Sequence, residues 1–194
     1  MRGPSLMSMF VAFALALSAA PAALAATGAG GEMYQEPVAP PASAPPDPVA
    51  QPAVAGTVAR VVGGRATAPA AAPDAVKRAI SAANAIVGRP YRWGGGHGRF
   101  TDRGYDCSGT VSFALHGGGL LGTPLDSSSF MRWGAGGAGD WITVYTNPGH
   151  AYAVIAGLRL DTSAAGDPSG LKGPRWRPNL RSSRGFRARH PAGL

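Results

Sequence analysis

The chain has 194 residues, of which 29 are glycine, 18 are proline and only one is cysteine. A single thiol excludes an internal disulfide framework, a cysteine-rich zinc module and a CxxC redox pair, because each of these needs at least two thiols. The formal net charge is +8 at pH 7, yet charged residues make up only 14% of the chain, which disfavours a coiled coil or a charge-rich disordered protein.

Residues 1–25 have the pattern of a secretory signal peptide. Arg2 supplies the positive charge, residues 6–20 are apolar apart from serines, and Ala23, Leu24 and Ala25 form a small-residue cleavage site. A membrane-spanning helix is the alternative, but an apolar run of about 15 residues is short for the roughly 20 that a bilayer requires. We therefore expect an exported protein, secreted or in the cell wall, with no stable membrane anchor.

Residues 26–73 are rich in proline and alanine, and nine of the 18 prolines lie between residues 27 and 73. Such a composition favours an extended, solvated chain over a packed core. We expect a largely disordered linker here, with at most one short strand between Val54 and Val62. The remaining residues, 74–194, are numerous enough for one small domain.

The first half of this domain has helical periodicity. Apolar residues recur at helical spacing from Val76 to Val87, with Asp74 at the predicted N-cap and Gly88 just past the end. A second helix is expected to begin at Cys107 with Asp106 as its N-cap, and a short third helix over residues 126–132.

The second half has the pattern of strands. Residues 141–145, 150–155 and 159–162 are apolar or β-branched, and turn residues separate them. A strand-like segment at 185–190 is expected to close the same sheet. Helices followed by antiparallel strands indicate an α+β fold, in which N-terminal helices pack on a small antiparallel sheet.

The lone cysteine is predicted to lie where a helix begins. Unpaired N–H groups and the positive end of the helix dipole stabilise a thiolate there, which makes such cysteines nucleophilic. A small buried hydrophobic side chain is the alternative interpretation of Cys107. A base is available in His150, which opens an apolar strand after a Pro-Gly turn. If residues 156–158 form the next turn, Asp161 shares a face with His150 and can orient its imidazole, whereas a register slip of one residue substitutes Thr162.

These residues together resemble a known family. The segments Gly88-Arg-Pro-Tyr-Arg-Trp-Gly-Gly95 and Asp106-Cys-Ser-Gly109, then Gly139-Asp140 and Gly149-His150, are similar to those of the NlpC-type cell-wall cysteine peptidases, papain-like enzymes that cut peptidoglycan stem peptides. The resemblance covers about residues 75–163. It implies a papain-like fold and a peptidoglycan endopeptidase that acts at the bond between D-glutamate and a diamino acid.

The resemblance also implies roles for individual residues. Cys107 would be the nucleophile, His150 the general base, and Asp161 the third catalytic residue, where the family more often has His, Asn or Gln. Tyr91 would lie near the oxyanion, and Asp106 and Ser108 match positions that hold a substrate amine in some members. No metal or other cofactor is expected.

Charge and export define the expected partners. Residues 74–194 contain 15 Lys and Arg against seven Asp, and seven of those basic residues lie between Lys172 and Arg189. Because export argues against nucleic acid, we expect peptidoglycan and anionic cell-wall polymers to meet this basic C-terminal segment, and a monomer to act on them. A solvated basic tail, a catalytically silent wall-binding module and an N-acetylmuramoyl-L-alanine amidase or acyltransferase of related fold remain the alternatives.

Overall fold

A computed structural model describes residues 53–194, so the predicted signal peptide and residues 26–52 of the predicted linker lie outside the described residues. Three helices and eight strands follow one another in this range: β1 (Arg60–Val62), β2 (Arg65–Thr67), α1 (Asp74–Ile86), α2 (Cys107–Gly117), α3 (Ser127–Phe130), β3 (Ala135–Gly136), β4 (Ile142–Asn147), β5 (His150–Ile155), β6 (Leu158–Asp161), β7 (Arg175–Arg177) and β8 (Arg187–His190). β3 to β8 form one antiparallel sheet in the order β3-β8-β4-β5-β6-β7. The α+β fold class predicted from the sequence is confirmed.

The folded part of the chain begins before Asp74, so the predicted domain boundary is corrected. β1 and β2 form a hairpin, and Ala66 exchanges two hydrogen bonds of 2.8 Å with the side chain of Asn84 in α1. The main-chain N–H of Ala59 donates to the carbonyl of Ala156, at the turn that follows β5. Four alanines of this segment are buried in the core: Ala59, Ala66, Ala68 and Ala72. Because alanine side chains are small, this segment can pack closely against the rest of the domain even though its composition is typical of a linker.

α1 packs one apolar face against α2. Its buried residues are the ones expected from the helical spacing: Val76, Ala79, Ile80, Ala83 and Ile86. The helix begins one residue earlier than predicted: Pro73 occupies the N-cap and Asp74 is the first helical residue. A carboxylate in the first turn still interacts favourably with the positive end of the helix dipole.

α2 lies between α1 and the sheet, and most of its side chains are buried. It begins at Cys107 as predicted, with Asp106 as a true N-cap whose side chain accepts from the N–H of Gly109 at 2.8 Å. A Cβ on Gly109 would collide with the carbonyl oxygen of Gly95. The start of this helix is thus pressed directly against the glycine-rich loop.

The β5–β6 hairpin sets which side chains face the start of α2. Its turn residues Ala156 and Gly157 both have positive φ, 45° and 78°, as in the type I′ turn that suits a tight hairpin. Val154 pairs with Arg159, so alternation places His150 and Tyr152 on the same face as Asp161. The register therefore brings Asp161 rather than Thr162 to this face.

β8 supplies the strand on the other side of β4. Tyr145 pairs with Ala188 and Val144 with Arg189, which confirms that the C-terminal segment closes the sheet. In residues 53–194, no helix combines the length and the apolar character that a bilayer crossing requires.

Candidate active site

Cys107 lies in the first turn of α2 and is 9% exposed. Its sulfur is 3.6 Å from the hydroxyl oxygen of Ser127 at the start of α3. Burial raises the pKa of the thiol, but hydrogen bonds from His150, from the main chain of Ala151 and from Ser127 outweigh burial and hold the pKa below its ordinary value. The thiolate is the nucleophilic form of cysteine, so this environment favours reactivity.

His150 is the first residue of β5 and pairs with Asp161 at the end of β6. Its Nε2 is 2.9 Å from Oδ1 of Asp161. Burial lowers the pKa of His150, but the hydrogen bond to Asp161, a hydrogen bond to Cys107 and the charges of both partners raise it to about 9. Since Nε2 is engaged by Asp161, Nδ1 is the nitrogen left for the sulfur.

The main chain around His150 is fixed by the preceding turn. Oδ1 of Asn147 accepts hydrogen bonds from the N–H of Gly149 at 3.0 Å and from that of His150 at 2.9 Å. The side chain of a turn residue thereby holds the start of β5. The imidazole is therefore presented from the end of a strand, as the Pro-Gly turn and apolar strand predict.

Asp161 is fully buried, and four groups surround its carboxylate. Oδ1 accepts from the N–H of Ser163 at 2.8 Å as well as from His150, while Oδ2 faces Nη1 of Arg181 at 3.3 Å and Nε of Arg159 at 3.7 Å. Burial raises the pKa of Asp161, but its hydrogen bonds and the neighbouring positive charges outweigh burial and lower it. The carboxylate is thus ionised at neutral pH beside His150.

Tyr91 lies in the loop between α1 and α2 and is 43% exposed. Its main chain pairs with Tyr105, two residues before Cys107. Partial burial raises the pKa of the phenol, and the negative charges of Cys107 and Asp106 raise it further, so the ring lies within electrostatic range of the sulfur. The phenol therefore stays protonated and can donate a hydrogen bond near the thiolate.

Asp106 and Ser108 have a different environment from the one implied by the resemblance. Both are buried, and Oδ1 of Asp106 accepts from Gly109 N–H while Oδ2 accepts from Gly94 N–H at 3.1 Å. The hydroxyl of Ser108 donates to Oδ1 at 3.3 Å. The carboxylate clamps the glycine-rich loop onto the start of α2, and the expected contact of this pair with a substrate amine stays a prediction.

Sequence reasoning missed the part played by His97. Its Nε2 is 3.0 Å from both Oδ1 of Asp106 and the hydroxyl of Ser108. The histidine therefore completes the clamp beside Cys107 instead of projecting from a loop. Its place among glycines gave no indication of this, because the contact depends on how the loop folds back onto α2.

Four of the seven basic residues in the C-terminal segment are buried or half-buried, so fewer of them are exposed to a polyanion than the sequence suggests. Arg177 is buried, and its Nη1 pairs with Asp167 at 2.7 Å while its Nε donates to the carbonyl of Asp161 at 3.0 Å. Arg189 donates to the carbonyls of Trp133 and Gly134, each at 2.6 Å. The basic residues of the segment that are exposed are Lys172, Arg184 and Arg187.

The described residues contain no group of three or more His, Cys, Asp or Glu side chains arranged to hold a metal ion. What they do contain is an α+β domain in which one thiol, one imidazole and one carboxylate meet between a helix N-terminus and two strand ends. A thiol, an imidazole and a carboxylate in this order can serve as a nucleophile, a base and an orienting group.

Comparisons with known proteins cover only part of the chain. No family model matches the sequence. Probable endopeptidases of Mycobacterium bovis and Mycobacterium tuberculosis are 34% identical over 96 residues, which is 46% of this chain and 24% of each relative. The chain thus spans about a quarter of the length of the curated relatives that it matches.

Two solved structures are similar to this chain at 20% sequence identity and a TM-score of 0.42. One is a hypothetical invasion protein of Mycobacterium tuberculosis, matched over 68% of this chain and 71% of that one. The other is a mutated form of the resuscitation promoting factor interacting protein, matched over 69% of this chain and 72% of that one.

Proposed function

We propose that this protein is an exported cell-wall hydrolase that cleaves peptidoglycan stem peptides with Cys107 as nucleophile, His150 as acid and base, and Asp161 as the residue that orients His150. The observation that carries the proposal is the position of His150: its Nε2 lies 2.9 Å from the buried Asp161 carboxylate, and its interaction with Cys107 lowers the pKa of the thiol and raises that of the imidazole. The likeness to probable endopeptidases over 96 residues supports the same reaction class.

The proposed reaction begins with attack on the peptide bond. The Cys107 thiolate bonds to the scissile carbonyl carbon, and the carbonyl oxygen becomes an oxyanion that the main-chain N–H of Cys107 and the phenol of Tyr91 stabilise. The C–N bond then breaks as the His150 imidazolium transfers its proton to the leaving amine nitrogen. This leaves a thioester on Cys107 and a neutral imidazole.

Hydrolysis of the thioester restores the site. Neutral His150 removes a proton from water, the resulting hydroxide bonds to the acyl carbon, and the C–S bond breaks to release the carboxylic acid and the thiolate. Throughout the cycle Asp161 accepts from Nε2, so Nδ1 faces the sulfur in every step. An Asp at this position, where the family more often has His, Asn or Gln, can therefore serve as the orienting residue.

The substrate is inferred from the family resemblance and from charge. Peptidoglycan stem peptides carry carboxylates, and a protein of net charge +8 attracts them at long range. We propose the bond between D-glutamate and the diamino acid as the site of cleavage. The proposed secretion rests on the signal-peptide pattern of residues 1–25.

Mass spectrometry of fragments from purified sacculi tests this proposal, with wild-type protein beside Cys107→Ala and the exposed control Ser128→Ala. The expected result is a set of new fragments whose amino terminus is the diamino acid, formed by wild type and Ser128→Ala only. Intact stem peptides released from the sugar would instead indicate an amidase. Sacculus co-sedimentation without any fragment would indicate a binding module, and either result would overturn the proposal.

A further inference from the structure

The two oxygens of the Asp161 carboxylate, Oδ1 and Oδ2, have different partners. Oδ1 is occupied by Nε2 of His150 at 2.9 Å and by the N–H of Ser163 at 2.8 Å. Oδ2 faces Nη1 of Arg181 at 3.3 Å and Nε of Arg159 at 3.7 Å. Oδ1 thus faces the imidazole of His150, and Oδ2 faces the guanidinium groups of Arg181 and Arg159.

Arg181 is held in place by aromatic rings that also border His150. Its guanidinium carbon lies 5.3 Å from the ring centre of Tyr152 and 5.2 Å from that of Phe186. The Phe186 ring stands edge-on to the His150 ring at 6.2 Å. Side-chain Nδ2 of Asn147 donates to the carbonyl of Gly185 at 3.3 Å, which ties residues 178–186 to the turn before β5.

Arg159 cannot replace Arg181 at this carboxylate. It is fully buried, its Nη2 donates to the carbonyl of Ala165 at 2.7 Å, and its Nε and Nη1 have no hydrogen-bond partner in residues 53–194. A separation of 3.7 Å from Oδ2 is an ion pair rather than a hydrogen bond. Arg181 therefore makes the shorter contact with Oδ2.

The charges around Asp161 come from each element that packs against it. β5 contributes His150 and Tyr152, and β6 contributes Arg159. β7 contributes Arg177, whose charge is offset by Asp167 and which contacts only the main-chain carbonyl of Asp161. The Arg181 side chain is 22% exposed and those of Arg159 and Arg177 are fully buried, so Arg181 is the one of these three arginines that meets both the carboxylate and solvent.

We propose that Arg181 is a positioning residue of the site: it holds Oδ2 of Asp161 so that Oδ1 stays on Nε2 of His150, and its positive charge helps to set the pH range in which Cys107 and His150 form an ion pair. The catalytic meaning of this role rests on the proposed function. The effect of Arg181 on the ion pair between Cys107 and His150 does not depend on the proposed function, because this ion pair can be measured without a substrate.

Alkylation of Cys107 by iodoacetamide between pH 4 and 10 measures that ion pair directly, since the chain has a single cysteine. In Arg181→Met, loss of a nearby positive charge disfavours the Cys107 thiolate and favours the His150 imidazolium. The inflection that reports ionisation of the thiol and the one that reports deprotonation of the imidazolium therefore both move upward by about half a pH unit. Arg181→Lys retains the charge and stays within about 0.2 pH unit of wild type. Arg60→Met removes an equally positive, exposed residue from β1 and leaves the profile unchanged.

Two results of this experiment would overturn the proposal. One is an Arg181→Met profile that superimposes on that of wild type, and the other is an equal shift in Arg60→Met, which would reflect overall charge. Urea unfolding of each variant checks that the fold is intact, and Arg181→Lys provides the comparison if Arg181→Met does not fold.

Hydrolysis of sacculi adds a second readout. A positioning role lowers kcat in Arg181→Met and leaves KM within about twofold. A raised KM at unchanged kcat would instead identify Arg181 as a substrate-binding residue and refute positioning. If wild type releases no fragments, the proposed function fails, and the alkylation profiles still decide the role of Arg181.

Discussion

Replacement of Asp161 by Asn tests how much of the site depends on one buried charge. Asn has nearly the same shape but no charge, so His150 loses the partner 2.9 Å away that most strongly favours its imidazolium. The pKa of His150 is about 9 against an ordinary 6.5, and a difference of this size corresponds to about 3 kcal/mol of imidazolium stabilisation. In Asp161→Asn we expect the pKa to fall to about 7 or below.

The assay is the pH dependence of sacculus hydrolysis, counting only the part of the rate that is lost in Cys107→Ala. The rate in Asp161→Asn should fall about ten- to thirtyfold at pH 8 but less than about twofold at pH 6, where the imidazole stays protonated without Asp161. Unfolding free energy should fall by about 3–5 kcal/mol, because the fully buried Arg159 loses its counter-charge. Asp167→Asn is the matched control, since it breaks an arginine pair away from His150. An Asp161→Asn enzyme whose alkaline inflection stays near pH 9 would refute this reasoning.

Three further predictions concern Cys107 and its surroundings. Ser127→Ala removes a hydrogen bond that lowers the pKa of the Cys107 thiol, so the acid inflection of the iodoacetamide alkylation profile should rise by up to about 1 pH unit. Ser128→Ala is the control and should leave this inflection in place. Equal profiles for the two variants would contradict the contact between Ser127 and Cys107. Gly109→Ala should lower the free energy of unfolding, measured in urea, by more than about 2 kcal/mol, because the new Cβ meets the carbonyl of Gly95. Gly98 faces open space, so Gly98→Ala should lower it far less. Equal losses in the two variants would count against the tight contact between the loop and α2. In wild type the raised pKa of His150 lowers stability as pH rises above 6.5, whereas the lowered pKa of Cys107 raises stability over the same range, so the two effects oppose each other and wild type should lose less stability than Cys107→Ala. In Cys107→Ala only the raised pKa of His150 remains, so urea unfolding should show about 1 kcal/mol or more lost as pH rises from 6.5 through that pKa, and a flat profile would contradict the account.

The sequence allowed the positions of Cys107, His150 and Asp161 to be predicted because each depends on local rules. An N-cap places Cys107 in the first turn of α2, and a Pro-Gly turn places His150 at the start of β5. Alternation along a two-stranded hairpin then carries Asp161 to the same face. Each step involves residues close in sequence, where turn and helix signals are strong.

The parts that the sequence did not reveal depend on contacts that no helix, strand or turn pattern marks. Arg181 reaches Asp161 from 20 residues away, and no periodicity marks it among the other basic residues of its segment. His97 contacts Asp106 through the path of a glycine-rich loop. The packed segment before Asp74 was misjudged for a different reason, since buried alanines have the composition of a linker.

The most direct test of the central claim is the release of new amino termini from purified sacculi by wild type and by Cys107→Ala. The account predicts a rate lower by at least about a thousandfold in Cys107→Ala, with unfolding and sacculus co-sedimentation close to wild type. If Cys107→Ala releases amino termini as fast as wild type, Cys107 is not the nucleophile and the proposed mechanism is wrong.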